Sequence, residues 1–559
     1  MKLTSTRLAK LVIVLSLGFG NLMFCQTKPK AASVDQREAR AWHQDLKFLA
    51  EQMPKCHKNL FHAITREQFQ RAIEQLHKRI PSLSRHQIVV EMARIAASIG
   101  DGHTNIAPTR DSKIGFRSYP LKLYFFNDGM FVRAATIEHK DIVGARVTKI
   151  GRFSVETAYN VACEIIGCDN DMDAKFFAPF LLTMPEVLHA LGMIDDMNSA
   201  AYTLDIQGKQ VVVVLKPYGP AEMLRPDTDT SWKLKPGWVD ARDSARLPTP
   251  LWLKDPENKF WFEYLRNIRT LYVQFNQVGN KDNESVEEFS QRLFAFVDSI
   301  QVDRFILDLR LNRGGNGAYN RPLLLGIIKS LKVDRQGTLF TVIGRSTWSA
   351  AEFLCNDLEK YTNTLFVGEP SGGKPNSYGD SRKIILPNSG ITVRVSSLWW
   401  QGDERDTRQW TAPQLAADLT FKDYQNNVDP AMNVILQYRP TKSLTDLLTK
   451  ALSMGAPASL VHVYPQWKSN PLNGYIDPGP ELIDLGYRLM STQHKEHAIQ
   501  VFTLCVDVCP GSWNAYDSLG EAYMNNGETD LAIKNYRKSL ELNPNNENAT
   551  EILKKLRAQ

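Results

Sequence analysis

The sequence is poor in cysteine, lacks any block of basic residues, and has no apolar run after the first two dozen positions that approaches a membrane span. Seven cysteines (Cys25, Cys56, Cys163, Cys168, Cys355, Cys505 and Cys509) in 559 residues are too few for a disulfide scaffold, and no Cys/His spacing has the form of a zinc site. Cys505 and Cys509 share one helical face and are read as packing residues, and Cys355 as core. Lysine and arginine total 67 against 61 acids, a net charge of +6. Three of those charges, Lys2, Arg7 and Lys10, sit in an acid-free N-terminal stretch, so a chain cleaved after Cys25 would carry +3. That balance excludes a nucleic-acid footprint. Hydrophobic residues at 43%, charged at 23% and aromatic at 10% exclude a tail or fibre, and the length predicts three or four domains.

The basic start and the apolar stretch Leu11–Cys25 form a secretory leader, too short to span a bilayer comfortably. Cleavage is expected after Gly20 or near Cys25, with export to the periplasm, the cell envelope or beyond; retention as an uncleaved anchor is the alternative. Leu22-Met23-Phe24-Cys25 has the outline of a lipobox, but Phe24 stands where a small residue is required.

Chemistry concentrates in Gly344-Arg345-Ser346-Thr347-Trp348-Ser349-Ala350-Ala351-Glu352 and, twenty-five residues after Ser349, in Lys374 of Gly368-Glu369-Pro370-Ser371-Gly372-Gly373-Lys374. Leu339–Ile343 reads as a buried strand and Ala350 onward as a helix, which puts Ser349 at a strand-to-helix turn. A helix N-terminus offers free N–H groups and a positive dipole end to an oxyanion beside that hydroxyl. Serine needs a base, and a neutral lysine is one recurrent choice. The bland alternatives are an N-cap serine and a solvated loop lysine. A second strand, Phe305–Arg310, runs into Leu311-Asn312-Arg313-Gly314-Gly315-Asn316-Gly317, where glycine lets backbone amides approach a substrate.

In this order and at these intervals, Asp-Leu-Arg-x-Asn-x-Gly-Gly, Ser-x-x-Ser-Ala-Ala-Glu and Gly-Glu-x-x-x-Gly-Lys resemble the S41 family of serine peptidases, the tail-specific or C-terminal processing proteases. The resemblance covers roughly residues 40–440. It implies an α/β fold with a ClpP/crotonase-like core, preceded by a helical segment and a PDZ-like module. It further implies Ser349 as nucleophile, Lys374 as base, and Gly314 or Gly315 with Ala350 as oxyanion donors. Ser371 stands where threonine is usual, and Gly-Gly-Lys-Pro-Asn departs from the usual Gly-Lys-Gly. Asp101-Gly102-His103-Thr104 resembles the family element from which, in the tricorn-like branch, a histidine serves the serine. Imidazole needs less tuning than lysine to act as a base at neutral pH, so His103 stands beside Lys374, with Glu352 as a residue that would orient either.

The domains expected are a leader (1–25), an N-terminal helical domain (34–112), a β-rich module (113–220), the catalytic core (221–440), a Gly/Pro/Ser-marked linker (441–478) and a repeat region (479–559). Within the β-rich module, Ile142–Gly151 resembles the central turn and strand of a PDZ module. In the core, Lys383–Leu386 and Ile391–Val395 read as a hairpin, and Trp399-Trp400 line either the core or a cleft for apolar side chains. Leu485, Gly486, Ala498, Ile499, Phe502 and Pro510 recur thirty-four residues on as Leu519, Gly520, Ala532, Ile533, Tyr536 and Pro544, the tetratricopeptide (TPR) pattern. The leading expectation is therefore an exported serine peptidase acting on polypeptide without metal or organic cofactor, with TPR repeats that hold a protein partner. Two alternatives stand beside it: a silent peptide- or apolar-ligand-binding protein on the same fold, like the family's retinoid-binding relatives, and a TPR scaffold.

Overall fold

Short apolar runs build the central sheet, and two of them are buried along their whole length. The computed structural model describes residues 33–559 apart from 109–110, 221–231, 440–442, 454–459, 471–472, 493 and 558–559. The leader, with Cys25, lies outside the described residues. Thr270–Phe275 and Leu339–Ile343 are buried at every position, the signature of strands covered on both faces. Six strands lie in chain order: Phe260–Leu265, Thr270–Phe275, Arg304–Asp308, Leu339–Ile343, Leu365–Gly368 and Leu415–Ala416. The first pair is antiparallel and every later pair parallel. Alternate residues feed two cores. Leu271, Val273, Phe305 and Leu307 pack with Phe289, Leu293, Leu323, Ile327, Leu354 and Leu358 of three helices, Val286–Ser299, Asn320–Lys329 and Ala350–Tyr361. Tyr272, Ile306, Phe340 and Val367 pack with Ala431 and Ile435 on the other side.

Two neighbouring strands of this sheet, Arg304–Asp308 and Leu339–Ile343, are parallel, so the loops leaving their C-terminal ends emerge side by side, where open α/β sheets place their sites. The Asp-Leu-Arg stretch holds one of these exits. Asp308 accepts from the Arg310 backbone at 3.0 Å and from Tyr272 Oη at 2.7 Å, and Arg310 forms a bidentate pair with Asp429 at 2.9 and 3.1 Å.

Ahead of the sheet, helices Gln36–Cys56, Arg66–Arg79 and Arg85–Ala97 pack with an antiparallel β module whose strands run Leu121–Phe126, Gly129–Thr136, Arg146–Ile150, Ala200–Ile206 and Lys209–Leu215. One apolar core runs through both and takes in Ile384, Leu386, Ile391, Val393 and Val395. Those five belong to the expected hairpin, which extends over Ser377–Ile385 and Thr392–Trp400 and forms a two-stranded sheet of its own. It bridges from the N-terminal core to the ends of the central strands.

Residues 441–478, expected to be a linker, differ from that expectation. They hold helices Leu444–Ser453 and Leu460–Lys468, and Leu444, Leu448, Leu452 and Trp467 share a core with Leu482, Leu485, Val501 and Cys505. Beyond them, Gly479–Ser491, Lys495–Val508, Trp513–Asn525, Thr529–Leu542 and Glu547–Arg557 form paired antiparallel helices. Gly486 and Gly520 are small for a concrete reason: a methyl group there would sit 2.4 Å from the Phe502 ring and 3.1 Å from that of Tyr536. Among the described residues no helix is long and apolar enough to cross a membrane.

Candidate active site

Ser349 occupies the turn between the buried strand Leu339–Ile343 and the helix Ala350–Tyr361, with φ +58° and ψ −125°. A non-glycine residue at positive φ is strained, at about 1–3 kcal/mol, and the strain here is not repaid by capping, since the Ser349 side chain caps nothing. The turn is held from several directions. Thr347 Oγ1 donates to the Leu309 carbonyl at 2.9 Å and accepts from the Gly344 amide at 3.0 Å. Arg345 pairs with Glu369 at 2.7 Å and donates to the Phe125 carbonyl at 2.6 Å. The amides of Gly372 and Gly373 donate to the Thr347 carbonyl at 3.0 and 3.2 Å.

His103 Nε2 lies 3.2 Å from Ser349 Oγ, across 246 positions of sequence. The imidazole stacks on Trp348 with ring centroids 3.9 Å apart and planes 19° from parallel. Burial pushes its pKa down to about 4, reinforced by the Arg313 charge and opposed by Asp101, Asp380 and the Tyr378 carbonyl. The preceding Asp101 folds its own loop: its carboxylate accepts from the amides of His103 and Thr104 at 3.0 and 2.8 Å and from buried His57 Nε2 at 2.9 Å. These bonds fix the backbone under the imidazole rather than its outer nitrogen; Nδ1 is buried and unbonded among the described residues.

Lys374, the other expected base, is close in sequence to this turn but makes no hydrogen bond or ion pair with Ser349 or any other described residue. Its charge is felt at Asp169. Glu352, expected to orient either base, reaches neither. It is buried one turn into the helix, with Oε1 accepting from Thr411 Oγ1 at 2.7 Å and Oε2 unbonded, and burial raises its pKa to about 8.

The two glycines divide their tasks. Gly314 packs directly on the serine turn, where a methyl group would fall 2.8 Å from the Ala350 nitrogen and 2.9 Å from Ser349 Cβ. Its N–H, however, is taken by Asn312 Oδ1 at 2.8 Å. Asn312 also donates to the Phe275 carbonyl at 2.7 Å and accepts the Trp348 amide on its own carbonyl at 3.1 Å, so one asparagine locks both loops together. Among the described residues the amides of Gly315 and Ala350 remain unengaged.

Asp169 was not singled out by any motif. Its Oδ1 accepts from the amide of Gly102, beside His103, at 2.9 Å, and its Oδ2 from Trp348 Nε1, beside Ser349, at 2.7 Å. Burial, with the neighbouring Asp173, raises its pKa to about 7. No local pattern betrays such a residue, because its two donors lie 67 and 179 positions away. Among the described residues no three His, Cys, Asp or Glu side chains converge as a metal site would require.

No curated protein matches this chain. The tetratricopeptide repeat family model matches residues 514–546. Among solved structures, a CPAF serine-to-alanine mutant is similar at 10% identity and TM-score 0.50, over 72% of this chain and 99% of its own. The photosystem II D1 C-terminal processing protease follows at 13% identity and TM-score 0.35, over 70% and 96%. An S41 protease from Bacteroides fragilis gives 13% identity and TM-score 0.29, over 61% and 86%. Likeness at this identity is likeness of fold: the chain has a mixed α/β fold similar to that of the CPAF structure, and it carries a tetratricopeptide repeat near its C-terminus.

Proposed function

We propose that the protein is an exported serine-type peptidase that hydrolyses polypeptide through an acyl-enzyme on Ser349. The observation that carries this reading is the approach of His103 Nε2 to Ser349 Oγ at 3.2 Å, on a strained turn at the start of a helix whose first amide is unengaged. Ser349 Oγ attacks the substrate carbonyl as His103 Nε2 takes its proton. Nδ1 then carries the other ring proton. The tetrahedral oxyanion is held by the amides of Gly315 and Ala350, and Gly314, having no side chain, lets that loop pack against the serine turn. As the intermediate collapses, His103 returns the proton to the departing amine, which leaves an ester on Ser349; water, deprotonated by the same imidazole, cleaves it. Lys374 is given no proton-transfer role. The β module at 113–220 is read as a PDZ-like guide for the polypeptide, the leader as the export signal, and the TPR repeats as a seat for a protein partner.

The test is covalent labelling of the protein without its leader by a fluorophosphonate, with the modified peptide located by mass spectrometry. Label is expected on Ser349, retained in Lys374→Ala, and lost in Ser349→Ala and His103→Ala. Loss in Lys374→Ala with retention in His103→Ala would exchange the bases, and an unlabelled folded wild-type protein would leave the same cleft to a non-catalytic binding protein.

A further inference from the structure

Three consecutive large apolar residues at the end of the hairpin are only half covered: Leu398, Trp399 and Trp400 are 46%, 40% and 44% exposed. Side chains alternate along a strand, so these three divide between two faces. Trp399 turns to Tyr378, with centroids 4.5 Å apart, and is partly satisfied there. Trp400 and Leu398 share the opposite face, and that face meets the candidate site.

Two contacts place Trp400 beside the reacting pair. Its indole packs against Phe353 with centroids 5.7 Å apart, and the Phe353 amide donates to the Ser349 carbonyl at 3.1 Å. Phe353 thus stands one helical turn from Ser349 on the same side of the helix. A methyl group on Gly379 would sit 3.0 Å from Trp400 Cδ1 and 3.8 Å from His103 Cε1, so a single residue without a side chain separates the indole from the imidazole. The indole orientation is pinned: Nε1 donates to Asp380 Oδ2 at 2.7 Å, and Asp380 holds φ +52°. A half-exposed tryptophan fixed at its polar end, with a glycine clearing the path to the base, presents a rigid apolar wall at little conformational cost.

We propose that Trp400, with Phe353 and Leu398, forms the subsite for a large aromatic or aliphatic side chain of an extended polypeptide, within a residue or two of the bond that Ser349 attacks. This rests on the peptidase reading above for what happens to the bond, but the recognition itself is a matter of binding. The occupant is polypeptide because the wall is continuous with the serine and histidine. It is apolar because the wall exposes ring faces and a leucine, while the nearest carboxylate, that of Asp380, is already engaged by the indole.

The test separates recognition from chemistry. Blocked eight-residue peptides of alanine and glycine with one variable position (Phe, Leu, Gly or Lys) are titrated calorimetrically into the Ser349→Ala protein. Phe and Leu peptides are expected to bind about tenfold more tightly than the Gly peptide, with the preference abolished by adding Trp400→Ala. Leu398→Asp, at a half-exposed position, serves as a second variant should Trp400→Ala fold poorly, and is expected to erase the same preference. Equal binding of Phe and Gly peptides, tightest binding of the Lys peptide, or a preference unmoved by both variants overturns the proposal. Cleavage of the same peptides by the wild-type protein reports on the peptidase reading alone, so the two can fail separately.

Discussion

At the scale of single residues the site is a set of compromises between stability and reactivity. Ser349 sits at φ +58° without a capping bond, so glycine at this position relieves strain and forfeits nothing but the hydroxyl. Ser349→Gly is expected to exceed Ser349→Ala in stability by about 1 kcal/mol, after allowing for glycine's larger unfolded-state entropy; thermal and denaturant unfolding of the two variants provides the check. His103 is pushed to about 4 by burial, below the usual 6.5. A base must be neutral, and it is neutral above its pKa. The acid limb of kcat/KM, which reports the free enzyme, is therefore expected near pH 4, with a plateau through neutrality; a limb near 6.5 would contradict the buried imidazole. Asp169 bonds the His103-bearing loop to the Ser349-bearing turn through two accepting oxygens. Asparagine keeps one acceptor and sets an N–H against the remaining donor. Asp169→Asn is expected to lower kcat about tenfold or more with KM little changed, and Trp348→Phe, which deletes one of the donors, to add little in the double variant.

Elements show the same tension between burial and charge. Glu352 lies in the first helical turn, where a helix dipole favours an acid, yet burial wins and raises its pKa from 4.5 to about 8. Because the folded value is above the unfolded one, the stability associated with this group is fully present below pH 4.5 and is lost as pH rises through about 8. Asp169, raised from 3.8 to about 7, acts in the same direction. Glu352→Gln keeps the acceptor for Thr411 and cannot ionise, so its melting temperature relative to wild type is expected to climb between pH 5 and 9. In the repeats, the 2.4 Å and 3.1 Å clearances at Gly486 and Gly520 rank two variants. Gly486→Ala is expected to cost about 1–3 kcal/mol and Gly520→Ala less, because a neighbour 3.1 Å away needs to give by only a few tenths of an ångström; urea unfolding followed by helical circular dichroism tests the order.

Over the whole molecule the helices of 444–468 decide where the chain can be cut. They bury Leu444, Leu448, Leu452 and Trp467 against the first repeat, and Tyr475 Oη donates to Asp418 at 2.6 Å, a polar tie back to the α/β part. A chain ending at 478 would expose that apolar face, whereas one ending at 440 removes it with its partner. The shorter chain is expected to be monodisperse in size-exclusion chromatography and to keep reactivity at Ser349; the 478 chain is expected to aggregate. A monodisperse 478 chain would show that these helices stand without the repeats.

What the sequence determined by itself was local or periodic: the buried strand before Ser349, the glycine turn after Asp308, the hairpin around Pro387–Gly390, and the thirty-four-residue recurrence that small and aromatic residues impose on paired helices. The ordered motifs also carried the resemblance from which the fold follows. Tertiary structure decided which of the two candidate bases faces the serine, because 25 residues of sequence separate Lys374 from Ser349 and 246 separate His103, yet of the two only the histidine is brought within 3.2 Å. It decided that Gly314 spends its amide on Asn312 while that of Gly315 stays unengaged, that Glu352 points at Thr411, and that Asp169 joins two loops. The physical reason is common to all four: hydrogen-bond partners are chosen by where packed elements deliver their ends, and neither spacing nor composition encodes that meeting.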